Sequence, residues 1–182
     1  MKQIHFNTIF ADKNLGAYYN RCCKMVDDPE TWIGLWDSDV MMFNTFIDWG
    51  AFLEKIVAKH SGIDLFGCIT NRIGTHKQRY TKYQEENRDI VYHRNLAEKI
   101  FAENYTTIND QVGSLSGFFL FFKKKTWDKC GPFPEDTKFV GVDTAFSKSV
   151  IAKGGRIGVI RGMYVFHYYR LAEGSAFTNH LK

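Results

Sequence analysis

Two aspartates at the end of an apolar segment are the residues of this chain best suited to bind a metal ion. Residues 31–39 read TWIGLWDSD and end in Asp37 and Asp39, with one residue between them. Successive side chains of a β-strand alternate between its faces, so these two carboxylates project to the same side. Neighbouring carboxylates repel each other unless one is protonated or a cation lies between them. The pattern predicts a divalent-metal site at the carboxyl edge of a sheet, with capping of a loop or helix as the structural alternative.

Length and composition restrict the class of protein. A chain of 182 residues, 45% hydrophobic and 16% aromatic, predicts one globular domain over residues 1–182. No apolar run approaches the roughly 20 residues of a membrane-spanning helix, and the N-terminus lacks the hydrophobic region of a signal peptide. The cysteines do not have zinc-ligand spacing. We therefore expect a cytoplasmic protein, whose net charge of +4 permits an anionic ligand such as a nucleotide.

The amino-terminal part of the chain predicts a β-α-β unit. Residues 3–10 have the composition of a strand, and Asn14 is placed to cap a helix with an apolar stripe from Leu15 to Val26. The Asp-Asp-Pro sequence at 27–29 ends this helix, and the strand leading to Asp37 follows. This order predicts parallel pairing of the two strands and a right-handed crossover.

The rest of the chain alternates helices and strands around one long polar segment. We expect helices at about 49–59, 95–104, 124–130 and 143–152, and strands at 63–70, 115–122, 156–160 and 163–169. Asn95 with Glu98 is typical of a capping box, and Asp143 is placed to cap the last helix. Residues 71–94 are polar and basic, with interspersed tyrosines and no clean period. Long segments of this kind are usually functional or mobile, and we expect either a flap or an acceptor-recognition surface.

Four segments occur in an order that is more specific than any one of them. They are DSD at 37–39, GFFLFFKKKTWDKCGPF at 117–133, GVDTAFS at 141–147 and YVFHYYR at 164–170. This succession resembles the inverting GT-A-fold glycosyltransferases of family 2. In that family a DxD strand precedes a glycine-led apolar strand with basic residues at its end, a helix ending in G-x-F, an acidic helix start and a strand ending in His. The resemblance covers Asn14 to Arg170.

The resemblance implies an α/β fold of the GT-A (nucleotide-diphospho-sugar transferase-like) type, a single domain with a mainly parallel central sheet. It also implies a hexosyltransferase-type enzyme that moves a sugar from a nucleotide-sugar donor to a hydroxyl of an acceptor glycan or other molecule. A UDP-sugar is the first candidate donor. Because the diphosphate leaves with negative charge, a cation must neutralise it, and Mn²⁺ or Mg²⁺ suits carboxylate and phosphate oxygens.

The resemblance assigns metal and donor roles to three polar residues. Asp39 would bind the metal ion, and Asp37 would contact the donor ribose or a metal-bound water. His167 would be a further metal or diphosphate ligand, although a hydrogen-bonded histidine at a strand end fits the same position.

Other residues are assigned by the same resemblance to the catalytic base and the donor pocket. Asp143 matches the base that takes the proton from the acceptor hydroxyl, although a simple helix cap fits it too. Gly117 and Asn14 are assigned to donor binding, and glycine there lets backbone approach a ligand closely.

Three alternatives remain open. A nucleotidyltransferase also uses paired aspartates, but it needs a third carboxylate and a basic phosphate loop that this sequence does not display. A non-catalytic nucleotide- or carbohydrate-binding module would keep the fold without turnover. Nucleic acid could bind the basic residues and tyrosines of 72–94, although the acidic residues among them favour a solvated loop.

Overall fold

The computed structural model describes residues 3–9, 14–43, 47–135 and 141–168. Within these ranges the chain forms one seven-stranded sheet with α-helices packed against it. The helices are α1 Leu15–Lys24, α2 Trp49–Lys59, α3 Ile90–Asn104, α4 Lys124–Cys130 and α5 Val142–Ala152. The strands are β1 Ile4–Ile9, β2 Trp32–Asp37, β3 Val40–Met42, β4 Leu65–Thr70, β5 Ile108–Asn109, β6 Phe119–Lys123 and β7 Ile157–His167.

The fold is α/β as predicted, but the sheet is mixed, and the prediction of a mainly parallel sheet was wrong. The strand order is β1-β2-β6-β4-β7-β3, with β5 paired to β7. Of the six pairings in the described ranges, β1–β2 and β4–β7 are parallel and the other four are antiparallel. Strand β6 lies between β2 and β4 and runs opposite to both. Hydrophobic periodicity predicts a strand but not its direction, so this arrangement was not visible in the sequence.

Several elements follow the local side-chain chemistry that predicted them. The Asn14 side chain caps α1 by accepting a hydrogen bond from the Ala17 backbone N–H at 3.0 Å. Strands β1 and β2 pair in parallel, with Ile9 opposite Asp37, as the β-α-β prediction required. Helices α2 and α4 have the predicted bounds, and Gly131, with φ at 91°, ends α4 in a conformation that glycine adopts without strain.

Two helix starts differ from the prediction. Helix α3 begins at Ile90 rather than at Asn95, because the Asp89 carboxylate accepts hydrogen bonds from the first backbone N–H groups of the helix. Helix α5 is preceded by Gly141 in the left-handed region, at φ 84°, and Asp143 lies inside the first turn. Asp143 is therefore not the helix cap, and its carboxylate is directed to other partners.

The two carboxyl-terminal strands expected from the sequence form a single strand, β7. Its register against β4 shifts between Cys68 and Ile69, so residues 161–163 have no partner in β4. The Arg161 backbone N–H bonds instead to the Thr107 carbonyl at 2.8 Å. Gly162 is needed at this bulge, since a Cβ there would lie 2.0 Å from the Tyr105 carbonyl oxygen.

Apolar residues alternate along the strands and form a core cluster on each face of the sheet. In β2, Ile33 and Leu35 belong to the cluster beneath α1, α3 and α5, whereas Trp32 belongs to the cluster beneath α2. This arrangement leaves the strand ends free to carry polar residues. Among the described helices, none combines the length and hydropathy needed to cross a membrane.

Glu30, just before β2, provides a test of the contacts between β2 and β6. Its carboxylate lies 2.6 Å from the Lys123 Nζ and 2.7 Å from the Lys125 Nζ. The hydrogen bonds from these lysines lower the pKa of Glu30 to about 2, from an ordinary 4.5. A lowered pKa stabilises the folded state above the unfolded value, and this contribution is lost as the pH falls through the folded value.

We therefore expect Glu30→Gln to lower the urea midpoint at pH 7, with a difference from wild type that shrinks between about pH 4.5 and 2. Added salt should also reduce the difference, since the pair is partly exposed. Glu98→Gln, at an exposed position of α3, is the control. A difference that is constant across this pH range would contradict the ion-pair explanation.

Candidate functional site

Three of the predicted site residues meet at one edge of the sheet. Asp37 ends β2, and His167 ends β7. The turn after Asp37 leads into β3, whose antiparallel pairing with β7 sets Val40 opposite His167. The pairing is extended by Asp39, whose carbonyl accepts the Tyr168 backbone N–H at 2.9 Å. The short strand β3, which the sequence did not predict, is therefore what brings Asp39 to His167.

The ligand atoms of this cluster lie close enough together to hold a metal ion. One carboxylate oxygen of Asp37, one of Asp39 and one ring nitrogen of His167 all lie within 4.8 Å of one another. The His167 Nε2 is 3.3 Å from the Asp39 Oδ1. Phe118 stacks on the imidazole ring at 5.2 Å, so the ring is held from the face as well. The side chain of Asp39 is 44% exposed, which leaves the cluster open to solvent on that side.

The pKa values of the two aspartates in the cluster are shifted in opposite directions. The pKa of Asp37 is raised to about 7, chiefly by burial and also by the negative charges of Asp39 and Asp143, while the His167 charge and the Tyr19 hydrogen bond act in the opposite direction. Burial also tends to raise the pKa of Asp39, but the hydrogen bond and charge of His167 outweigh it, so that this pKa is lowered. A cation among these groups would favour the ionised form of both carboxylates.

Gly117 connects the paired aspartates to Asp143. The hydroxyl of Tyr19, a fully buried residue of α1, lies 3.2 Å from the Asp37 Oδ1 and 3.1 Å from the Gly117 carbonyl oxygen. The Gly117 backbone N–H donates to the Asp143 Oδ2 at 2.6 Å. A Cβ at this position would lie 2.9 Å from the Tyr19 hydroxyl and 3.1 Å from the Asp143 Cβ. The contacts of the chain itself therefore require glycine here, and its donor-binding role stays a prediction.

The side chain of Asp143 is held in place by two backbone N–H groups. Its Oδ1 accepts the Thr144 N–H at 2.7 Å, while its Oδ2 accepts the Gly117 N–H. Burial raises the pKa of Asp143, and these hydrogen bonds act in the opposite direction. A carboxylate that is fixed in position, and more basic than usual, is suited to accept a proton.

Two residues of the site were not identified from the sequence. The sequence indicated Tyr19 only as part of the apolar stripe of α1. Because a buried tyrosine usually forms a hydrogen bond through its hydroxyl, a tyrosine in this stripe could have indicated a buried polar partner. Asn71 follows a wholly buried strand, and its Oδ1 accepts the His167 backbone N–H at 2.8 Å. The other predicted donor-binding residue, Asn14, caps α1. Its contact with the donor stays a prediction.

Residues 71–85, which follow β4, pack against the edge of the sheet that carries the candidate site. The buried Gln78 side chain accepts the Ser116 backbone N–H at 2.6 Å and lies 3.4 Å from the Cys68 carbonyl. The Asn71 Nδ2 donates to the Glu85 carbonyl at 3.2 Å, which closes the segment. These contacts hold residues 71–85 against the rest of the described chain, and the flap and the recognition surface both stay predictions.

A scan against protein-family models and a search of curated proteins both give no match. The motifs and the geometry of the site are therefore the features of the molecule that bear on its function.

The Tyr19 hydroxyl contacts both Asp37 and Gly117, and Gly117 in turn contacts Asp143. Removing this hydroxyl tests the connection between the paired aspartates and Asp143. In Tyr19→Phe the Gly117 carbonyl loses its hydroxyl donor inside the protein, which should lower the free energy of unfolding by about 1–3 kcal/mol. Tyr18→Phe, on the same helix but 37% exposed, is the matched control and should change it by less than about 0.5 kcal/mol. Urea unfolding measures both variants, and equal effects would mean that the buried hydroxyl contributes nothing to holding the site together.

Proposed function

We propose that this protein is a metal-dependent inverting glycosyltransferase of the GT-A type. It would transfer a sugar from a UDP-linked donor to a hydroxyl group of an acceptor glycan or other molecule. The observation that carries the proposal is the gathering of Asp37, Asp39 and His167 within 4.8 Å, with Asp143 tied to the same edge through Gly117. The residues that the family resemblance selected thus come from distant parts of the chain to one place.

The donor atoms of the cluster suit one of the two predicted metal ions better than the other. Asp37 and Asp39 supply oxygens, and His167 supplies an imidazole nitrogen. Mg²⁺ prefers oxygen ligands alone, so a set that includes imidazole favours Mn²⁺. When bound, the ion would neutralise the negative charge that develops on the leaving diphosphate.

Asp143 supplies the proton acceptor that the transfer requires. The acceptor hydroxyl gives its proton to the Asp143 carboxylate as its oxygen forms a bond to the anomeric carbon of the sugar. The bond from that carbon to the diphosphate oxygen breaks, and the electron pair leaves with the diphosphate. Because attack and departure occur on opposite sides, the configuration at the anomeric carbon inverts. The backbone N–H groups of Gly117 and Thr144 keep the carboxylate in place during this step.

The architecture is compatible with this chemistry. The described sheet is an open mixed α/β sheet of the Rossmann-like kind, and open sheets of this class bind ligands outside the carboxyl ends of their strands. Asp37 and His167 occupy such ends, on β2 and β7. The UDP donor, the GT-A assignment and the acceptor remain part of the proposal.

Metal-dependent nucleotide binding is the first test. UDP with Mn²⁺ should raise the stability of the wild type according to RT ln(1 + [L]/Kd), about 2.7 kcal/mol at 100 times Kd. Asp39→Asn should abolish the part of this gain that depends on Mn²⁺, because it removes the carboxylate charge beside His167. Asp27→Asn, at an exposed aspartate in the turn after α1, is the control and should bind as wild type does. An equal Mn²⁺-dependent gain in wild type and Asp39→Asn would contradict the metal assignment.

Loss of the base is the second test, measured as UDP release from a panel of UDP-sugars with water or added saccharides as acceptors. Asp143→Asn should still bind UDP and Mn²⁺, whereas turnover should fall by roughly 10²–10⁴-fold. An amide accepts hydrogen bonds through its oxygen alone, so one of the two backbone N–H groups on Asp143 loses its partner and stability should fall as well.

Asp28→Asn is the control for this second test. Its carboxylate also accepts two hydrogen bonds, at 2.9 and 3.4 Å, but at the opposite edge of the sheet. It should therefore lose stability without losing turnover. Normal turnover in Asp143→Asn would show that this aspartate is not the base, and binding without any turnover in the wild type would favour the non-catalytic module.

A further inference from the structure

Two arginines are buried beside the candidate site in the segment that follows β4. Arg72 is 4% exposed and Arg79 is 7% exposed. Arg72 comes directly after Asn71, whose side chain is bonded to the His167 backbone. Arg79 forms a β-bridge with Thr70, the last residue of β4. Both arginines therefore adjoin the carboxyl end of the strand that pairs with the His167-bearing strand β7.

The positive charges of these arginines are poorly balanced within the described residues. The Arg72 Nη1 is 3.4 Å from the Glu86 Oε1, and the side chain of Glu86 is 70% exposed. The Arg79 Nη1 donates to the Lys82 carbonyl at 3.0 Å, and no described carboxylate lies within 4.0 Å of its guanidinium. The Nε atoms of both arginines are buried and have no hydrogen-bond partner.

Burial without a matching carboxylate is unfavourable for a guanidinium group. Buried charges in proteins are ordinarily paired or bound to a ligand, because their desolvation is costly. The same segment keeps other cations, such as Lys77 and Lys82, in solvent. Two buried guanidinium groups without a matching buried carboxylate among the described residues are suited to receive an anionic ligand.

We propose that Arg72 and Arg79 form an anion site that receives phosphoryl oxygens of a ligand bound at this edge of the sheet. The planar guanidinium fork matches phosphate in bidentate hydrogen bonds, and it binds more strongly when water is excluded. The phosphoryl group could belong to the diphosphate of a nucleotide or to a phosphate on the acceptor. The site itself does not depend on the metal ion, but the assignment of its source rests on the proposed transferase function.

The anion site is tested with pyrophosphate in the presence of EDTA, so that neither the metal centre nor turnover contributes. At constant ionic strength, pyrophosphate should raise the melting temperature of the wild type. This rise should be lost in Arg72→Met and in Arg79→Met, and in neither variant should the ligand-free melting temperature fall, since a buried charge without a full partner has been removed. Arg94→Met, at an exposed position of α3, is the control and should keep the full response.

The Arg79→Lys variant keeps the positive charge but lacks the planar guanidinium group. It provides the test of the anion site if Arg79→Met does not fold. A pyrophosphate affinity reduced at least tenfold in the lysine variant supports the site. No response in the wild type, or a wild-type response in the Arg79→Lys or Arg79→Met variant, would overturn it.

Binding of UDP distinguishes the two possible sources of the phosphoryl group, the donor diphosphate and a phosphate on the acceptor. If the group belongs to the donor, UDP competes with pyrophosphate, and Arg79→Met weakens UDP binding. If it belongs to the acceptor, pyrophosphate binds to UDP-saturated protein and Arg79→Met leaves UDP affinity unchanged. A protein that responds to pyrophosphate through Arg79 but shows no Mn²⁺-dependent UDP binding would keep the anion site and refute the proposed function alone.

Discussion

Three carboxylates gathered at one edge of a sheet repel one another, and the surrounding contacts of this protein are arranged around that repulsion. Asp39 is balanced by His167, and Asp143 by two backbone N–H groups. Asp37 is the most buried of the three and receives the hydroxyl of Tyr19, which is not enough to keep its pKa low. A cation among these groups would relieve the repulsion, which is the electrostatic basis of the metal ion that we propose here.

The hydrogen bonds that hold this edge together join residues far apart in the chain. Tyr19 and Gly117 are 98 positions apart, and Asn71 and His167 are 96 apart. Each of these contacts involves a buried polar group, and leaving one unmade would cost free energy. The candidate site is therefore supported by contacts between distant parts of the described chain, and the loss of one contact should displace several of its side chains.

The geometry of the candidate site depends on the mixed parallel and antiparallel pairing of the sheet. Strand β3 doubles back from β2 and pairs antiparallel with β7, which sets Asp39 beside His167. Strand β6 enters between β2 and β4, and Phe118, the residue before it, stacks on the His167 ring. In an all-parallel sheet these connections would be replaced by crossover helices, and the residues of the cluster would lie on separate loops.

The sequence by itself determined the elements that depend on interactions between residues close together in the chain. The Asn14 cap, the β-α-β unit and the bounds of α2 and α4 followed from spacing or from turn residues, whereas Asp37, Asp39 and His167 were grouped only by the family resemblance. Tertiary structure alone decided the direction of β6, the existence of β3, the partners of Asp143 and the burial of Arg72 and Arg79. The physical reason is that helix caps and periodic patterns are formed by neighbours in the chain. Strand direction, pKa and charge balance depend instead on which distant groups are packed together, and that is settled only when the whole sheet has assembled.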